Sequence, residues 1–217
     1  MDVGGKQAVA RYGDLYVDRV TGERAVVLRG DAESGGRSLM VHLVVRPGGA
    51  VTGAHIHPAL NERFCVLAGK LGTRVAGAER TLEVGEELTV PAGIEHDWWN
   101  AGDTEASVLV ELTPGDPRFV VMIATLFGLA NAGRTNDKGQ PGLLQSTLIG
   151  REFWDVIRFT ARPFWQQWIA FMLLGPIARL RGLRGLYREY LRPHGSVEPD
   201  AAALAAAGID PPRAAAA

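Results

Sequence analysis

The sequence predicts a mainly β domain, a sandwich or barrel, followed by about three α-helices. Two observations carry this. Between Arg24 and Glu111, the runs "ERAVVLRG", "SLMVHLVV", "NERFCVLAG", "ELTVPAG" and "ASVLVELTP" follow one another at short intervals, punctuated by Gly, Pro, Asn and Asp. From Thr113 onward the grammar changes to long apolar segments bounded by helix signals. No internal duplication is visible, so the β-rich part reads as one domain.

Taken in order, residues 1–23 form an N-terminal arm and 24–114 the β-barrel domain. Residues 115–192 form a helical C-terminal extension, and 193–217 a tail with too few large apolar residues to bury, expected to be flexible. In the extension, Asp116 and Pro117 supply an N-cap and a proline at the first helical position, and Gly133 supplies a stop. A helix is predicted from about Pro117 to Ala132. A second helix is predicted through "LLQSTLIGREFWDVIRFTA" up to Pro163, and a third through "PFWQQWIAFMLLGPIARLRG".

Composition narrows the function. The chain has 217 residues, with 23 Lys plus Arg against 24 Asp plus Glu, so no net field would gather nucleic acid. The segment Phe119 to Leu129 is also too apolar, and the loop after it too long, for a groove-binding helix pair. Cys65 is the single cysteine, which excludes a multi-thiolate metal site and an intrachain disulfide. With no secretory pattern in "MDVGGKQAVARYGD", a cytoplasmic location is expected.

The third helical segment raises the membrane question. Gln166, Gln167, Pro176 and Arg179 interrupt it well short of the roughly 20 apolar residues a spanning helix needs. Packing on the β-domain or on a second subunit, as in a homodimer, is the expectation, and membrane contact is not. The alternative is a helix in the lipid interface, with Trp165 and Trp168 at headgroup level and "RLRGLRGLYR" against phosphates.

The candidate chemistry lies in "GGAVTGAHIHPALNERFCVLAGKLG". In a strand, residues two apart share a face, so His55 and His57 present their imidazoles together. Glu62 has the opposite parity, but Pro58, Ala59 and Asn61 suit a turn that lets a new strand bring Glu62, Phe64 and Val66 inward, with Arg63 and Cys65 facing out. His96 sits just past the turn made by Pro91 and Gly93. If these stretches fold onto neighbouring strands, three imidazoles and a carboxylate converge, a set suited to a borderline divalent cation with two open octahedral positions. Taken singly, a histidine on a strand is more often a packed or surface residue than a ligand.

The ensemble resembles the cupin superfamily. Gly49, five residues, His55, one, His57, four, Glu62, six, Gly69 reproduces its first motif; Gly85, five residues, Pro91, one, Gly93, two, His96, three, Asn100 reproduces the second. The resemblance implies a double-stranded β-helix, a jelly-roll-like barrel, with one divalent metal ion held by His55, His57, Glu62 and His96. Iron, manganese, nickel, copper, cobalt and zinc all suit such ligands. It further implies a metal-dependent enzyme acting on a small organic molecule, of dioxygenase type, with Glu62 as ligand or general base, its pKa raised by an apolar barrel. A non-oxidative isomerase, cyclase or lyase, or a non-catalytic ligand-sensing protein, stands beside it. Of Trp98 and Trp99 one is expected to line the pocket; His42 is undecided in facing, Glu95 and Asp97 are expected to be solvated, and Cys65 to lie outside the barrel under a helix.

Overall fold

Alternation along β3 (Leu39–Val45) sets the inside of the barrel: Leu39, Val41, Leu43 and Val45 enter one buried cluster, while Met40 enters another on the opposite face. The computed structural model describes residues 10–50 and 53–210. Seven of its strands, β1 (Asp14–Val17), β2 (Arg24–Arg29), β3, β5 (Asn61–Ala68), β8 (Glu87–Val90), β10 (Ala106–Thr113) and β12 (Gly195–Ser196), form one sheet in the order β12-β1-β2-β3-β10-β5-β8. The facing sheet has five, β4 (His55–Ile56), β6 (Leu71–Val75), β7 (Ala78–Leu82), β9 (His96–Asn100) and β11 (Arg158–Phe159), in the order β11-β4-β9-β6-β7. All pairings are antiparallel, and the two sheets enclose the core as a jelly-roll-like double-stranded β-helix. Gly69, at φ 75° between β5 and β6, takes a left-handed turn in which a Cβ would sit 2.7 Å from the Glu105 carbonyl oxygen.

The short helix α1 (Asp31–Ser34) follows β2, and the helical extension begins with α2 (Pro117–Asn131). The Asp116 carboxylate accepts the Arg118 amide at 2.8 Å, and Pro117 opens the helix, as the sequence predicts. Ten residues of α2 are buried, because the helix lies over the barrel's interior and against the turn at Arg188–Tyr190. Gly128 permits that second contact: a Cβ there would lie 2.2 Å from the Tyr190 ring.

Two expectations need correction. The second predicted helix is shorter: α3 (Leu143–Glu152) ends before Phe153, and Arg158–Phe159 form β11 along the free edge of β4. Val156 and Ile157, buried and β-branched, suit an extended path, and an edge strand's unpaired backbone groups reward it. The tail is not loose through its described part. Gly195 and Ser196 pair with Leu15 and Asp14 of the expected arm, and α5 (Ala201–Ala207) is capped by Asp200, whose carboxylate accepts the amides of Ala202 and Ala203. Alanine is small enough for α5 to lie flat on the outer sheet face, where Ala203 and Leu204 cover Leu28, Met40, Cys65 and Leu109. Residues 1–9 of the arm and 211–217 of the tail lie outside the described residues. The third helix, α4 (Phe164–Leu180), forms with Pro176 inside it.

Glu23, at the turn between β1 and β2, is buried with one carboxylate oxygen unpaired. Burial first, and Asp18 second, push its carboxyl up to about 7. The folded state therefore holds a proton that the unfolded chain releases near its ordinary value, and stability should fall as pH rises from about 4.5 to about 7. Glu23→Gln should raise the melting temperature at pH 8 and flatten that slope, as thermal unfolding across pH would show.

Candidate metal centre

His55 and His96 stand directly opposite each other across the β4–β9 pair, so one strand register brings two imidazoles together. Their ring centroids are 4.3 Å apart, with His57 at 5.0 Å from His55 and 5.6 Å from His96. Glu62 comes from β5 in the facing sheet, so the cluster spans the barrel interior. All four are buried, and one nitrogen or oxygen from each lies within 4.8 Å of the others. The sequence prediction for Glu62, Phe64 and Val66 facing inward is matched: all three are buried, and Phe64 and Val66 join the core.

Backbone contacts fix the histidines. The Gly93 amide donates to the His57 carbonyl at 2.8 Å, tying the Pro91–Gly93 turn to the first motif. Asn100 closes the other end, its side-chain amide donating to the carbonyls of Val45 and Thr104 and its backbone amide to that of Gly49. Each imidazole donates its Nδ1–H to a carbonyl: His55 to Gly53 at 2.7 Å, His57 to Val156 at 2.7 Å, and His96 to Ile94 at 3.0 Å. In His55 and His57 that tautomer leaves the Nε2 lone pair free to face inward, whereas His96 turns its Nε2 to Glu62. Val156 belongs to the segment between α3 and β11, so the helical extension orients one of the imidazoles.

The electrostatics fit a cation. His57 Nε2 is buried with no hydrogen-bond partner, 3.4 Å from Glu62 Oε2, and an orphaned buried lone pair of this kind is what a metal ion would use. Glu62 Oε2 accepts from His96 at 2.8 Å. Burial pushes the Glu62 carboxyl up, but the hydrogen bond from His96 and the close imidazoles of His57 and His55 outweigh it and hold the group well below the usual carboxylate range. The expected upward shift is thus reversed, because the imidazoles stand closer than the apolar wall. Burial lowers His55 to about 4; His96, also opposed by burial, is raised by its contact with Glu62.

Above the cluster lies a cavity with about 660 Å³ of atom-free space, counting its open mouth. His55 and Glu62 reach it at one end; its walls are aliphatic and aromatic, including Val41, Leu43 and Trp98 from the barrel and Phe119, Ile123 and Phe127 from α2. Trp98 is the inward tryptophan, while Trp99 packs over Gly72 beneath Arg74. His42 faces away from the cavity and bonds Ser107 at 2.7 Å, and Cys65 lies under α5 as expected. Sequence reasoning missed Val156, Phe119, Ile123 and Ile157 as parts of the site; the run "VIRF" after a helix was the one local hint of a strand.

Residues 41–111 match the family model for the cupin domain. The barrel is a cupin domain. Over 90 aligned residues the chain is 34% identical to oxalate oxidase GF-2.8 of Triticum aestivum, covering 38% of this chain and 40% of that protein. It is 33% identical to germin-like protein 3-3 of Oryza sativa subsp. japonica, covering 38% and 39%. The match thus spans about 40% of these relatives' length. Among solved structures, KdgF from Halomonas sp. aligns at a TM-score of 0.43 and 17% identity, over 48% of this chain and 89% of that one. A recombinant oxalate oxidase in complex with glycolate aligns at 0.41 and 21%, over 62% and 78%. The four-residue cluster lies inside the matched region, whereas α2, Val156 and most of the residues that line the cavity lie outside it.

The backbone contacts make a prediction about tautomers. Long-range nitrogen–proton correlation spectra of ¹⁵N-histidine protein at neutral pH should show His55 and His57 as Nδ1–H tautomers. An Nε2–H signal for either would contradict the geometry.

Proposed function

We propose that this cupin is a metal-dependent oxidoreductase, of dioxygenase type, whose substrate is a small organic molecule with an apolar body and a single oxygen function. His55, His57, Glu62 and His96 are the proposed ligands of one divalent ion. When bound, such an ion supplies Lewis acidity and, as iron, manganese, nickel or copper, one-electron chemistry toward dioxygen. The observation that carries the reading is the pairing of this polar cluster with an apolar chamber.

The chain's own residues then have separable tasks. The Nδ1–H bonds to Gly53, Val156 and Ile94 hold the imidazoles in place without substrate. Glu62 lines the cavity and carries an ionised carboxylate, which suits it to serve as the fourth ligand; to take a proton from a substrate hydroxyl it would first have to leave the imidazoles that hold its basicity low. Phe119, Ile123, Phe127 and Trp98 exclude water and select for apolar shape. The oxalate of the relatives' names is a small dianion, and among the described residues no Lys, Arg, Asn or Gln lines this cavity to bind its second carboxylate. An enol or phenol fits the walls better than a dicarboxylate.

Elemental analysis of protein purified without chelators should find about one equivalent of a redox-active divalent metal per chain, and His55→Ala with His96→Ala should remove at least nine-tenths of it. Zinc alone, with turnover unaffected by anaerobic conditions, would favour Lewis-acid chemistry instead. In the loaded protein, hydroxylated aromatic or alkyl compounds should raise the melting temperature, and one of them should drive oxygen uptake that Glu62→Gln lowers by about 100-fold or more. Oxalate turnover would defeat the proposed substrate class.

A further inference from the structure

Helix α4 is apolar over most of its surface, interrupted by Gln166, Gln167 and Arg179, yet it is covered on one side only. Phe171, Gly175 and Ala178 are buried, and Phe171 and Gly175 face α3 near Gly150 and Leu148. Positions 165, 168, 169, 172, 173, 176, 177 and 180 recur at three- and four-residue spacing, and every one is exposed. Along that stripe Trp165 is 62% exposed, Met172 and Leu173 65%, and Leu180 89%. Scattered exposed apolar residues are ordinary, but a continuous stripe four turns long is not.

The charge around the stripe is one-sided. From Val156 to Arg188 the chain has Arg158, Arg162, Arg179, Arg181, Arg184 and Arg188 and no Asp or Glu. Arg162 stands just before α4, and Arg179, Arg181 and Arg184 stand at or beyond its end, all exposed. Both ends of the stripe are therefore basic. A second copy docked here by two-fold symmetry would set arginine against arginine in either orientation; the nearest acids, Glu152, Asp155 and Glu189, lie outside α4, and Asp155 already pairs with Arg118. An anionic lipid surface complements both features: apolar side chains enter the acyl boundary, tryptophans sit at the headgroups and arginines meet phosphates. No helix among the described residues is long and apolar enough to cross a membrane, so the helix would lie on the surface.

We propose that α4 is a membrane-surface anchor that docks this cupin, through its exposed stripe and flanking arginines, on anionic lipid. This reading stands against the expectation that a second subunit or the barrel covers the helix, and the sedimentation outcome below separates the two. The aromatic cluster beneath α4 holds the helix rigidly. Trp154 packs edge-on against Phe164, Trp168 and Phe171 at 5.4–5.6 Å, and Arg158 lies over its ring. Docking needs no metal, so its test is independent of the proposed chemistry.

Full-length protein should cosediment with vesicles of phosphatidylcholine containing about a third phosphatidylglycerol, and weakly with pure phosphatidylcholine. Met172→Gln with Leu173→Gln, both exposed and so expected to leave folding and metal content intact, should lower partitioning at least about tenfold. Arg179→Gln with Arg181→Gln should lower binding to anionic vesicles alone, by about fivefold for each arginine, and salt should do the same. Absence of vesicle binding by the folded wild type would overturn the proposal, as would binding that survives the stripe substitutions. A dimer in sedimentation that the stripe substitutions dissociate, with no affinity for vesicles, would assign the face to a second copy instead.

Discussion

Strand β4 is two residues long, and the candidate centre depends on its being paired on both sides. On one side, the His55–His96 register faces two imidazoles across the ladder. On the other, Arg158 and Phe159 pair with Ile56 and His55, and the Thr160 amide continues the contact to the Ala54 carbonyl. A strand this short holds no fixed register by itself, because each lost pair removes half its ladder. The extension therefore supplies backbone constraint at the edge and, through the Val156 carbonyl, orientation for His57. Cupin barrel and helical appendage are one mechanical unit at the place where the chemistry is proposed.

The same region concentrates the molecule's electrostatic cost. Three imidazoles and a carboxylate are buried beside an apolar chamber, and the orphaned His57 lone pair alone costs about 1–3 kcal/mol. The Glu62–His96 contact offsets part of this by sharing charge within the cluster. A cation seated among the four would satisfy the remainder, so in the proposed metal centre occupancy and fold stability are linked. Glu23 shows the contrast: a buried carboxylate without an imidazole beside it shifts upward, while Glu62, more deeply set, shifts downward.

Much of this was legible in the sequence because it is local. Strand alternation placed Glu62, Phe64 and Val66 inward and put Cys65 on the outer face, and the Asp116–Pro117 pair marked the start of α2 to the residue. The spacing of the histidines and of Glu62 identified the cluster that the fold then gathers. What was not legible depends on distant partners. The run "DVIRF" carries apolar residues that a helix or a strand could use, and only the free edge of β4, about a hundred positions away in the chain, decides for the strand. The alanine-rich tail looked too poor in apolar bulk to pack, but a flat sheet face accepts small side chains where a groove would not. The direction of the Glu62 shift required distances, since residue types alone do not say whether wall or imidazole is nearer.

The pairing of β1 with β12 joins strands from opposite ends of the chain, Leu15 against Gly195. That contact has one of the largest sequence separations the fold contains, and ladders of high contact order form slowly. During synthesis the seven-stranded sheet stays unfinished along the β1 edge until residue 196 has emerged. The growing chain thus carries an unpaired strand edge from the emergence of β1 to that of β12, a period in which neighbouring nascent chains or a chaperone compete for the same hydrogen bonds.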